Sequence, residues 1–63
     1  MTNKEFVLSI YPEAKVHVTT VTIKIYYSIW FGHYSSWSYI SEEDAWSSAR
    51  EIIEYKFLNR LES

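Results

Sequence analysis

From Thr20 to Phe31 the chain alternates residue by residue between two chemical characters, and this run limits the fold more than any other feature. Val21, Ile23, Ile25, Tyr27, Ile29 and Phe31 share one face, and Thr22, Lys24, Tyr26, Ser28 and Trp30 share the other. β-Branched and aromatic residues at period two are what a half-buried strand requires. Lys15 to Thr19 alternates in the same way, with Val16 and Val18 opposed to Lys15 and His17, and predicts a short strand before it.

Gly32, the chain's only glycine, stands with His33 at the end of the long run and predicts a hairpin turn with positive φ. Residues 34–40 then predict a third strand whose register has two solutions. One turns Trp37 and Tyr39 inward and leaves Ser36 and Ser38 in water, and a slip of one residue reverses every side chain. The first is favoured, because it buries rings and exposes hydroxyls.

Helices flank these strands. Thr2 or Asn3 can cap a short first helix with Phe6, Val7 and Ile10 at helical spacing, and Pro12 ends it. Ser41-Glu42-Glu43-Asp44 opens a longer helix, with a hydroxyl to cap it and acids to complement its dipole. Ala45, Trp46, Ala49, Ile52, Ile53, Phe57 and Leu61 form its apolar stripe. Glu42, Glu43, Ser47, Arg50, Glu51, Glu54 and Arg60 mostly lie off that stripe. The expected fold is α+β in the order α-β-β-β-α. A three-stranded antiparallel sheet carries the C-terminal amphipathic helix on one face, as a single domain over residues 1–63.

At 63 residues such a domain has a marginal core, and cysteine is absent, so disulfides cannot support it. Three Trp, six Tyr and three Phe supply the compensation. That is more ring area than so small a core can bury, so some rings must be exposed or lie in an interface. A homodimer is a second route to buried area.

Charge divides along the chain. Residues 1–40 carry three lysines against two acids, net +1, and residues 41–63 carry Arg50, Lys56 and Arg60 against six acids, net −3. The C-terminal helix is therefore a poor phosphate-binding surface. Lys4 and Glu5 stand where a signal peptide would place its basic end and apolar run. The apolar stretch Val21–Phe31 is too short to span a bilayer. The expectation is a cytoplasmic protein with no membrane partner.

Residues that carry chemistry are few. His17 and His33 are the chain's only histidines, and no nucleophile signature accompanies them. Two histidines without cysteine make a thin metal set, and one glycine beside an acidic helix start makes no phosphate cradle. No catalytic residue, metal ligand or cofactor is expected. The best functional signal is the strand face opposite the isoleucines. Tyr26 and Trp30 lie there, with Lys24 and His17 as a rim, and exposed Tyr and Trp are typical of protein interfaces. A second candidate is the acidic surface of Glu42, Glu43, Asp44, Glu51 and Glu54, which can imitate nucleic-acid phosphates.

Two resemblances bear on function. The element order and length resemble the double-stranded-RNA-binding domain, in which the second helix begins with lysines that meet phosphates. Here the matching place reads Ser41-Glu42-Glu43-Asp44, so duplex-RNA binding is disfavoured. Nucleic acid is the second choice of partner, with stacking of single strands on exposed rings left open beside only Lys15 and Lys24. The stretch Ile40-Ser41-Glu42-Glu43-Asp44-Ala45-Trp46-Ser47-Ser48-Ala49 resembles the S/T-E-E-x-A-W-x-x-A helix start of very small phage-encoded accessory proteins, as does Tyr11-Pro12-Glu13-Ala14. The likeness spans residues 10–53. It implies a binding role in the cytoplasm of an infected bacterium, including inhibition of an antiviral defence complex such as a CRISPR effector, with a host protein or complex as the partner.

Overall fold

The computed structural model describes residues 1–62, with side chains through Lys56. The elements run α1 (Asn3–Ile10), β1 (Lys15–Val21), β2 (Lys24–Phe31), β3 (Tyr34–Ser35) and α2 (Glu42–Glu62). This is the expected α+β order, with an open antiparallel sheet arranged β1-β2-β3.

Both ends of α1 have a local cause. The Thr2 hydroxyl accepts from the Glu5 N–H at 3.1 Å and donates to the Glu5 carboxylate, which closes the first turn of α1. Pro12 cannot continue the helix. The chain turns there instead, and the Ala14 N–H donates to the Tyr11 carbonyl at 3.0 Å.

The core lies between α1, α2 and one end of β2. Val7, Ile29, Phe31, Ala45, Trp46, Ala49 and Ile53 are buried, and Tyr11, Tyr27, Tyr39 and Ile52 pack around them. Ala45 and Ala49 allow α2 to approach the sheet closely. Phe57 and Leu61 of the expected stripe, and Arg60 of its polar side, lie outside the described side chains. α1 packs along α2, where the Arg50 guanidinium sits 4.5 Å from the Phe6 ring centroid. Tyr11 tilts against Phe31, with centroids 5.3 Å apart. Both helices therefore stand on the same side of the sheet.

Two expectations about the strands are corrected. Thr20–Phe31 is not one strand, because Thr22 and Ile23 form a two-residue hairpin turn with Thr22 at φ 59°. The turn puts Val21 opposite Lys24, on the face away from the helices, and leaves Ile23 exposed at the tip. Neither belongs to the core face on which the unbroken alternation placed them.

The second correction concerns residues 34–40. Ladder pairing is confined to Tyr34–Ser35, followed by a single bridge between Tyr39 and Tyr27. Trp30 pairs with Ser35, and continuing that register would place Ser38 opposite Tyr27. Tyr39 is there instead, so this segment carries one extra residue, a β-bulge. Ser36 is buried and its hydroxyl accepts from the Ile29 N–H at 2.8 Å, while its own N–H donates to the Ile29 carbonyl. Trp37, expected inward, is 79% exposed. Tyr39 does face the core, half-buried. The bulge thus combines both registers, with Ser36 inward by one and Tyr39 inward by the other.

Candidate functional site

Cross-strand pairing defines the sheet face that points away from both helices. Lys15 pairs with Trp30, His17 with Ser28, Thr19 with Tyr26 and Val21 with Lys24, and residues directly opposed in an antiparallel ladder share a face. The expected set Tyr26, Trp30, Lys24 and His17 therefore lies on one surface. Among the described residues, no helix or strand packs over it.

Its centre is a stacked pair. The His17 and Trp30 rings lie 4.9 Å apart with planes 28° from parallel. The Trp30 Nε1–H donates to the Ser28 hydroxyl at 3.2 Å, which fixes the indole across the strand. Ser28, although on the outward face, is buried beneath this arrangement. Trp30 remains 55% exposed, Tyr26 is half-buried, and His17 and Lys24 are exposed. Two anchored aromatic side chains lose little conformational freedom when a partner covers them, which favours binding.

The charge on this face has one sign. Lys15 and Lys24 are the charged residues of the three strands, and no acid occurs in them. Alternation along β1 already puts Lys15 on the His17 face, and the ladder places it opposite Trp30, which adds it to the rim. Trp37, expected inward, is exposed because of the bulge. Flanking serines were the available signal, but they suited either register.

The acidic candidates are exposed on α2 and do not form one free cluster. Glu42 accepts from the Trp46 indole N–H at 3.1 Å, and Glu43 accepts from the Asn3 amide at 3.5 Å. Glu54 bonds the Arg50 guanidinium at 2.8 Å. Asp44 and Glu51 are exposed. Glu42 and Glu43 thus tie down the start of α2, and Glu54 holds Arg50 beside Phe6.

His33 lies in the turn after β2, and a shallow depression there is lined by Trp30, Gly32, His33, Tyr34 and Ser35. Among the described residues no group of three His, Cys, Asp or Glu side chains is placed to hold a metal ion. No described helix is long and apolar enough to cross a membrane. Comparison with known proteins finds no matching family model, no matching curated protein and no matching solved structure.

Proposed function

We propose that this protein acts by binding another protein through the outward face of its sheet, without catalysing a reaction. One observation carries the reading. The His17–Trp30 stack, with Tyr26 beside it and Lys15 and Lys24 around it, forms an apolar, positively rimmed surface that no described element covers. The chemistry that complements it is an apolar patch bordered by carboxylates. The narrower reading, a phage inhibitor that occludes a surface of a bacterial antiviral defence complex in the host cytoplasm, rests on the resemblance of residues 40–49.

Capture from bacterial lysate with the wild-type chain, Trp30→Ala and Tyr26→Ala tests the reading. A protein retained by the wild type should be lost by both variants while their far-UV circular dichroism is unchanged. Retention undiminished by both substitutions would refute the use of this face.

Single-stranded nucleic acid is the alternative favoured by the same rings, since bases stack on exposed aromatics beside lysines. Two lysines give a weak electrostatic footprint, and the start of α2 is acidic. A titration with oligonucleotides at several salt concentrations separates the two readings. Tight, salt-sensitive binding would replace protein with nucleic acid as the ligand.

A further inference from the structure

β1 is an edge strand, and its free edge has a definite hydrogen-bonding pattern. On β2, Tyr27 exchanges both backbone bonds with Tyr39, and Ile29 directs its N–H and C=O to Ser36. Both residues therefore point their backbone groups away from β1. Their β1 partners, Val18 and Val16, form the non-hydrogen-bonded pairs of that ladder and turn their own N–H and C=O to the free edge. Thr20, two residues on from Val18, does the same. Among the described residues nothing pairs with this edge, and all seven residues of β1 are exposed.

The side chains of Val16, Val18 and Thr20 lie on the helix-facing side of the sheet, opposite Ile29, Tyr27 and Ile25. The helices cover only the Ile29–Phe31 end of that side. Val16 remains 39% exposed, Val18 53% and Ile25 47%. The strand has no proline, no bulge and no acid, and its one charge, Lys15, is at its end. Edge strands normally carry such features to prevent pairing.

We infer that the occupant of this edge is a second copy of the chain, paired antiparallel through β1 about a twofold axis at Val18. The outward-pointing positions 16, 18 and 20 are symmetric about Val18, so the backbone donors and acceptors of the edge complement those of a second copy. Val18 meets Val18 of the second copy, and Val16 meets Thr20 of the second copy, each pair exchanging both backbone bonds. Val21 of the second copy lies opposite Lys15, so the two lysines do not meet. Any other antiparallel register with matched backbone groups shifts by two residues and leaves part of the strand unpaired. The product is a continuous six-stranded sheet of isologous type. On its helix-facing side the two bare valine patches adjoin. On its outward side the two His17–Trp30 stacks share one surface and remain free, so this seam is separate from the surface proposed for partner binding.

Sedimentation velocity from about 10 µM to about 1 mM tests this, a span of Kd that corresponds to about 4–7 kcal/mol of association free energy. The wild type should shift from monomer to dimer across the range. Val18→Pro removes an outward N–H that the monomer does not use, and proline is tolerated on such an edge. Val18→Lys places a charge at the seam. Both should sediment as monomers with unchanged far-UV circular dichroism, and if the proline variant does not fold, the lysine variant decides. In the wild type, amide exchange at Val16, Val18 and Thr20 should slow with rising concentration, while His17 and Thr19 are protected throughout. A wild type that stays monomeric, or a dimer that survives the folded variants, overturns the inference. A dimer lost with Trp30→Ala but kept with Val18→Lys also overturns it, because the seam is then the aromatic face.

Discussion

The His17 imidazole lies across the Trp30 indole, with ring centroids 4.9 Å apart, although His17 is paired not with Trp30 but with Ser28. The contact is a diagonal one between strands, and the bond from Trp30 Nε1 to the Ser28 hydroxyl holds the indole in place. Because the ring is half in water, Trp30→Ala should lower stability by only about 1–1.5 kcal/mol, the scale of one aromatic contact. The same substitution should weaken partner binding by about 2 kcal/mol or more if Trp30 is an interface anchor. Chemical denaturation and a binding isotherm on one preparation measure the two effects.

Ser36 takes the place of a strand residue by giving its hydroxyl to the Ile29 N–H and its own N–H to the Ile29 carbonyl. Ser36→Ala leaves a buried amide without its acceptor and should cost about 1–3 kcal/mol. Ser38→Ala, at an exposed position, should change stability by less than about 0.5 kcal/mol. Urea midpoints for the two variants check the contrast, and equal effects would remove the role given to Ser36.

The two hairpin turns make opposite predictions. Thr22 is β-branched and sits at φ 59°, a region costly for such a side chain, so Thr22→Gly should stabilise the fold by about 1 kcal/mol. Gly32 also sits at φ 59°, and a Cβ there would lie 3.3 Å from Tyr11 Cε1. Gly32→Ala should therefore destabilise by about 1–2 kcal/mol. Thermal and urea unfolding of the two variants should move in opposite directions.

Ala49 is fully buried where α2 meets the core. Ala49→Leu inserts side-chain volume that the neighbours cannot accommodate without moving, and should cost about 1–3 kcal/mol. A urea midpoint at or above that of the wild type would show that the core has unfilled space there.

Much of this architecture was legible in the sequence, and the misreadings have specific causes. Alternation from Lys24 to Phe31 correctly separated Tyr26 and Trp30 from Ile29 and Phe31. Pro12 and the acidic run after Ser41 marked helix ends by backbone and dipole effects that need no tertiary contact. The turn at Thr22-Ile23 was hidden because neither residue favours a turn, and both suit a strand. The bulge was hidden because it depends on one serine hydroxyl replacing a backbone acceptor, which periodicity does not record. Periodicity also assigns a face without saying how far a helix covers it. Ile25 and Ile29 follow the same pattern, yet one is exposed and the other buried. The outward site was readable as a face, with Lys15 beside His17 by alternation, but its place opposite Trp30 comes from the pairing, and the exposure of Trp37 comes from the bulge.

The most direct test of the outward face is site-specific photo-crosslinking in a bacterial lysate. A photoreactive side chain at Thr19, exposed on that face opposite Tyr26, is compared with one at Glu51, exposed on α2. The account predicts a discrete adduct between position 19 and a protein other than a second copy of this chain, absent at position 51 and abolished when Trp30→Ala is added. Such an adduct formed at position 51 but not at 19, or one at 19 that survives Trp30→Ala undiminished, would contradict it; crosslinks between two copies belong to the β1 seam and do not count.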